Sequence, residues 1–166
     1  MSVDKLARFN LKNYSIEKFV PHSPPMVLIE KITHFDDANL TAEITIREDS
    51  IFYDKNIKGV ATWVGIEYIS QAIAALAGIH ATIECRSIRL GFLLGTRKYH
   101  TYQKVFKRNM TYSIIVAQLY KDDSGLASFE CKILEKSEGL EKFTNDMICV
   151  QTKLNVFETD DFERLK

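Results

Sequence analysis

Glu67, Ser70 and Gln71 stand at i, i+3 and i+4 within the otherwise apolar stretch TWVGIEYISQAIAALAGIHATI. On a helix that spacing puts all three on one face. A carboxylate buried there without partners is expensive, so Glu67 must be paired, protonated or set at a cleft. Two readings of Glu67 stay open on the residues alone. One is a structural salt bridge. The other is a general acid, its proton retained by desolvation and donated to a leaving hydroxyl. Val64 and Gly65, at the start of the same stretch, are candidate substrate contacts. A glycine there lets a carbonyl approach the free N–H groups of the first turn, although packing is the competing role.

Few other groups could move a proton or offer a thiol. The chain has four histidines, His22, His34, His80 and His100, and three cysteines, Cys85, Cys131 and Cys149. His80 is about 20 Å along a helix from Glu67 and about 220° round it, so the two cannot share a site within one chain. His34 ends a strand-like stretch and His100 sits in a basic one, which suits surface or interface imidazoles. His22 lies between prolines and reads as a loop brace. The odd cysteine count, without a CxxC pair, argues against a disulfide framework or a zinc site and for a reducing compartment. All three cysteines are expected as buried apolar fillers.

These residues need elements to carry them. The 166 residues suit one domain: an arm and Pro-rich bend at 1–25, the folded domain at 26–157 and an acidic tail at 158–166. Ser15 is placed to cap a helical turn at 16–19. Strands are expected at 26–35 and 40–47, joined by Asp36, Asp37 and Asn39. The apolar run from Thr62 reads as a single helix buried on most sides. Four more strand-like stretches follow, at 89–102, 110–120, 126–134 and 146–157, with turn signals between them that include Ser137-Glu138-Gly139. The pattern is α+β: one long central helix wrapped by a curved antiparallel sheet of about five to six strands, a hotdog-like topology. Glu67, Ser70, Gln71 and His80 interrupt the helix short of the ~18 to 20 apolar residues that a membrane span needs. The opening MSVDKLARFN lacks the apolar core of a secretory signal. A cytoplasmic protein that does not enter a membrane is expected.

Charge balances at 22 basic against 22 acidic residues, without the excess of a dedicated nucleic-acid binder. It does not balance locally. No Asp or Glu occurs between Cys85 and Tyr120, where Arg86, Arg89, Arg97, Lys98, Lys104, Lys107 and Arg108 fall, and acids crowd the last third. Such a window is either a solvated strand face or a field that steers an acidic or phosphorylated partner. Interleaved Tyr99, Tyr102, Phe106 and Tyr112 could stack single-stranded bases, but they equally fit alternating core positions. Arg97, Lys98 and Lys104 are the candidate docking residues.

Two further segments carry a family likeness. Val20-Pro21-His22-Ser23-Pro24-Pro25-Met26-Val27-Leu28-Ile29-Glu30-Lys31 resembles the LPHRxPxLLxDR segment of 3-hydroxyacyl-carrier-protein dehydratases. Glu67-Tyr68-Ile69-Ser70-Gln71 resembles their helix motif. More closely, WVGIEYISQAIAALAG, RLGFLLGTRKY and KLNVF look like the dehydratase-like hotdog subunit of aryl polyene biosynthesis clusters. The resemblance implies a dimer formed through sheet edges, with an acyl tunnel at the interface and no cofactor beyond the phosphopantetheine arm of an acyl carrier protein. It also implies loss of water from a 3-hydroxyacyl thioester. In that family a histidine removes the C2 proton and an acid on the partner protomer protonates the leaving hydroxyl, while helix N–H groups polarise the thioester carbonyl.

The pattern breaks at the base. Fourteen positions before Glu67, where the family has its histidine, stands Tyr53, a poor base at neutral pH and here a candidate wall of the substrate site. Loss of a general base costs ~10² to 10⁴ in rate. The expected function is therefore a dehydratase subunit that contributes Glu67, oriented by Gln71, to a site completed by a histidine-bearing hotdog partner. A homodimer should be weakly active. The alternatives are a non-catalytic carrier-binding or scaffolding subunit and a hotdog thioesterase in which the acid activates water.

Overall fold

Apolar residues repeating all round a helical period give the molecule its axis. In the computed structural model of the protein, which describes residues 9–136 and 147–159, Gly65–Ile83 forms one helix, α1, entered through a 3-10 turn at Thr62–Val64. The turn expected at Ser137-Glu138-Gly139 and the tail beyond Thr159 lie outside the described residues. Among the described residues nine strands accompany the helix: β1 (Lys31–Phe35), β2 (Asn39–Thr45), β3 (Gly59–Ala61), β4 (Leu90–Gly95), β5 (Tyr99–Thr101), β6 (Val105–Lys107), β7 (Thr111–Lys121), β8 (Leu126–Glu135) and β9 (Ile148–Thr159). Seven of them make one antiparallel sheet in the order β1-β2-β7-β8-β9-β4, with β5 also pairing β9. β3 and β6 form a separate ribbon.

Alternation fixes which side of the sheet meets the helix. Leu40, Ala42 and Ile44 on β2 stand opposite Val116, Ile114 and Tyr112 on β7, and all six are buried. They share one core with Ile69, Ala72, Leu76 and Ile79 of α1. The stretch Thr62–Ile83 is long and apolar enough to cross a membrane, but most of it is buried within the protein, as befits a core helix. The aromatic residues of the basic window divide in the same way: Phe106 and Tyr112 are buried and Tyr99 is half-buried against the core, whereas Tyr102 is exposed. They offer no stacking platform.

Local hydrogen bonding moves several expected boundaries. The strand expected at 26–35 begins only at Lys31, because Met26 and Leu28 spend backbone groups on the side chain of Gln71. The stretch 89–102 breaks into β4 and β5 at a turn where Gly95 has φ +129° and the Thr96 hydroxyl donates to the Lys98 carbonyl. Ser15 precedes a 3-10 turn at Ile16–Lys18 but makes no side-chain cap. Its hydroxyl instead meets Glu17, where a backbone hydrogen bond first, and then Ser15, hold the carboxyl below its ordinary value.

The segment 19–28 forms a strap across α1. Phe19 and Val20 are buried, and a Cβ added at Gly78 would lie 2.1 Å from the Phe19 carbonyl oxygen, so only glycine lets the strap approach the helix this closely. Phe9, from the arm, stacks on Tyr14 at 5.1 Å and meets Phe19 and Phe35 edge-on, anchoring the strap from outside.

The cysteines do not all behave as fillers. Cys131 and Cys149 are buried, but Cys85 follows the last turn of α1 at φ +56° and is exposed. Burial pushes the Cys131 thiol up to about 12 and the Cys149 thiol up to about 11. An aromatic disulfide reagent at pH 8 should therefore titrate one thiol per native chain and three after denaturation. Rapid reaction of all three in the native protein would contradict this burial.

Candidate active site

The site grows from Gln71, a fully buried side chain in the middle of α1. Its carbonyl oxygen accepts the Leu28 N–H at 2.8 Å. Its amide donates to the Met26 carbonyl at 2.8 Å and to Glu67 Oε1 at 2.9 Å. One amide thus ties the strap to the helix and orients a carboxyl one turn away. Ser70 completes the polar face, with its hydroxyl turned back on the Ile66 carbonyl at 2.8 Å.

The strap brings a histidine that its sequence position does not reveal. His22 Nε2 lies 3.4 Å from Glu67 Oε1, a few tenths of an ångström beyond hydrogen-bond length. The side chains are 32% and 35% exposed, so Glu67 sits at a cleft rather than deep in the core. His22 Nδ1 is buried and meets no hydrogen-bond partner among the described residues. Reading His22 as a simple loop brace is therefore corrected: it faces the candidate acid. The cue was present in Val20-Pro21-His22-Ser23-Pro24-Pro25, but the contact joins residues 45 positions apart and exists only once the strap has crossed the helix.

His22 and Glu67 open on a groove of about 240 Å³ between α1 and the β4 side of the sheet. Ser70, Ala74 and Ala77 line its helix side, and Phe92, Phe129 and Phe157 line the sheet side. Small residues on the helix leave the room and aromatic rings make the wall apolar, which suits a hydrocarbon chain. His80 lines the same groove. It does not meet Glu67, but it closes the far end together with Lys121 and Glu158, which pair at 2.7 Å. Burial holds the His80 imidazole below its ordinary value.

The other candidates fall elsewhere. Tyr53 packs against the core and does not line the groove, and neither do Val64 and Gly65. Val64 is buried. Gly65 is a packing glycine. A Cβ there would lie 2.6 Å from Tyr99 Oη and 2.9 Å from Ile133 Cδ1, and its N–H already serves the Thr62 and Trp63 carbonyls. The Tyr99 hydroxyl donates to Thr62 O at 2.7 Å, which holds the helix entry closed on that side. His34 and His100 are exposed, the first beside Asp36 and the second against Tyr102. Among the described residues no three His, Cys, Asp or Glu side chains gather as metal ligands.

Ion pairing sorts the basic window. Arg86 pairs with Glu84, Lys107 with Glu135 and Arg108 with Glu48. Arg97 and Lys98, on the turn between β4 and β5, and Lys104, whose carbonyl accepts the Thr62 N–H, are exposed and make no ion pair among the described residues. Beside them, β4 pairs with β9 alone among the described residues, and Leu90, Leu93 and Leu94 are exposed by 46%, 43% and 59%.

Residues 14–166 match the family described as ApeP-like, ApeP dehydratase. A chain of the dehydratase heterocomplex ApeI:P from Xenorhabdus doucetiae superposes with a TM-score of 0.79 at 25% identity, covering 92% of this chain and 95% of that one. A hypothetical thioesterase from Streptococcus pneumoniae TIGR4, solved with coenzyme A, gives 0.56 at 10% identity, covering 78% and 84%. Cj0977, a sigma28-regulated virulence protein from Campylobacter jejuni, gives 0.56 at 11%, covering 88% and 97%. The last two are alike in fold alone, and no functionally curated protein matches the sequence significantly.

Gln71→Leu would keep the volume and leave the Met26 carbonyl and Leu28 N–H unpaired. Unfolding in urea should show a loss of about 2 to 4 kcal/mol. A loss within experimental error would mean that the amide is not the tie between strap and helix.

Proposed function

Because the chain belongs to the ApeP-like dehydratase family, we propose that it supplies the acid half of a site that removes water from 3-hydroxyacyl thioesters in aryl polyene biosynthesis. The observation that carries this reading is Glu67 at the mouth of an apolar groove, with Oε1 held by Gln71 and Oε2 without a hydrogen-bond partner among the described residues. The acyl chain lies along the groove with its 3-hydroxyl at Glu67. A base removes the C2 proton, and that electron pair becomes the C2=C3 bond. The C3–O bond breaks and Glu67 gives its proton to the departing oxygen, which leaves as water.

The base comes from a histidine-bearing hotdog partner. Tyr53, at the position of the family's base, is a weak one. The apolar edge of β4 is where a second hotdog sheet can continue this one and wall the groove. The likeness to a chain of a dehydratase heterocomplex supports the same assembly. The substrate arrives on the phosphopantetheine arm of an acyl carrier protein, an acidic partner suited to the exposed Arg97, Lys98 and Lys104.

In the complex with its hotdog partner, Glu67→Gln should lower kcat for dehydration by ~10² to 10⁴. Full activity in that variant would refute the assigned role. Reversing Arg97 and Lys98 together to Glu should weaken carrier docking at low salt more than it slows turnover of a small thioester analogue. Unchanged docking would make the basic turn a solvated face.

A further inference from the structure

The strap histidine has no role in the reaction as written, yet the fold positions it with care. Gly78 admits the strap to the helix, and Gln71 fixes it at Met26 and Leu28. Between those two anchors His22 turns Nε2 toward the same Glu67 oxygen that Gln71 already addresses.

We infer that His22 is a positioning residue for the general acid, an inference that rests on the dehydratase reading above: it donates from Nε2 to Glu67 Oε1 and thereby keeps the transferable proton on Oε2. The buried nitrogen sets the tautomer. Nδ1 meets no partner among the described residues, and a buried N–H without an acceptor is rarer than an unused acceptor lone pair. The ring hydrogen therefore belongs on Nε2, facing the carboxyl. With N–H groups from both Gln71 and His22 directed at it, Oε1 acts as the carbonyl oxygen of the acid. The hydroxyl is then Oε2, the oxygen left for a groove occupant. The 3.4 Å separation closes to a hydrogen bond when substrate and partner fill the groove, as such contacts commonly do on assembly.

The same geometry excludes His22 as the C2 base. Its Nε2 is directed at Glu67, and a proton taken at Nδ1 would be a buried N–H without an acceptor. The other described titratable groups lining the groove are His80, Arg89, Lys121 and Glu158.

The test compares His22→Ala with His22→Gln, which carries an N–H donor at nearly the same reach, in the complex with the hotdog partner. His22→Ala should lower kcat by up to about tenfold, the worth of one neutral hydrogen bond, with KM unchanged. His22→Gln should recover most of that loss. His22→Gln as inactive as His22→Ala would overturn the inference and make the imidazole a proton carrier. Wild-type rates in both variants would overturn it as well. A wild-type complex that performs no dehydration would refute the functional reading instead. Nitrogen-15 NMR of the imidazole would then decide the inference by itself. An Nε2–H tautomer whose resonance moves in Glu67→Gln is expected, and an Nδ1–H tautomer or an unmoved resonance would contradict it.

Discussion

The structure around the site depends on one buried amide. Gln71 has no exposed surface, and its oxygen and both hydrogens are spent on Leu28, Met26 and Glu67. A buried amide is costly when its bonds are unmade, so strap, helix and carboxyl cannot shift independently. The Gly78 contact then fixes the strap's other end, leaving little freedom in where His22 and the groove mouth can lie. The polar site is rigid because its parts share one hydrogen-bonding group. The groove beside it stays open because the helix presents Ser70, Ala74 and Ala77 there rather than bulkier side chains.

Much of this was legible from residue spacing. Glu67 and Gln71 sit four apart, which on any helix makes them neighbours, and the length of the apolar run demanded a helix. The β1–β2 hairpin and the long strands β7, β8 and β9 followed from alternation and turn residues. What periodicity could not supply was direction. A helix apolar on nearly every side does not say which face lines a groove, so Val64 and Gly65 read as substrate contacts although they face the core. His22 was hidden for another reason. Its neighbour is created by a chain crossing, and proline-bounded loops carry no period from which to infer one. Cys85 illustrates the limit of composition, since a residue type usually buried here ends a helix in the left-handed region and faces solvent.

The charge pattern gained meaning only from partners. Seven positive residues look alike in a sequence, but Arg86, Lys107 and Arg108 are answered locally by carboxylates, whereas Arg97, Lys98 and Lys104 meet none among the described residues. An exposed cation near the edge of β4 extends its field into solvent, where it can act on an approaching acidic surface within a screening length. Neutral overall charge and a directional basic turn are thus compatible.

One chain holds the Glu67 carboxyl, oriented by Gln71, at an apolar groove, while Tyr53 stands fourteen positions before it. A mixed active unit can be tested by titration. Dehydration of a 3-hydroxyacyl thioester is measured as a histidine-bearing hotdog partner is added to this chain. The rate should be lower by ~10² to 10⁴ without the partner and rise to a plateau at one equivalent. Turnover by this chain alone at the rate of the mixture would contradict it.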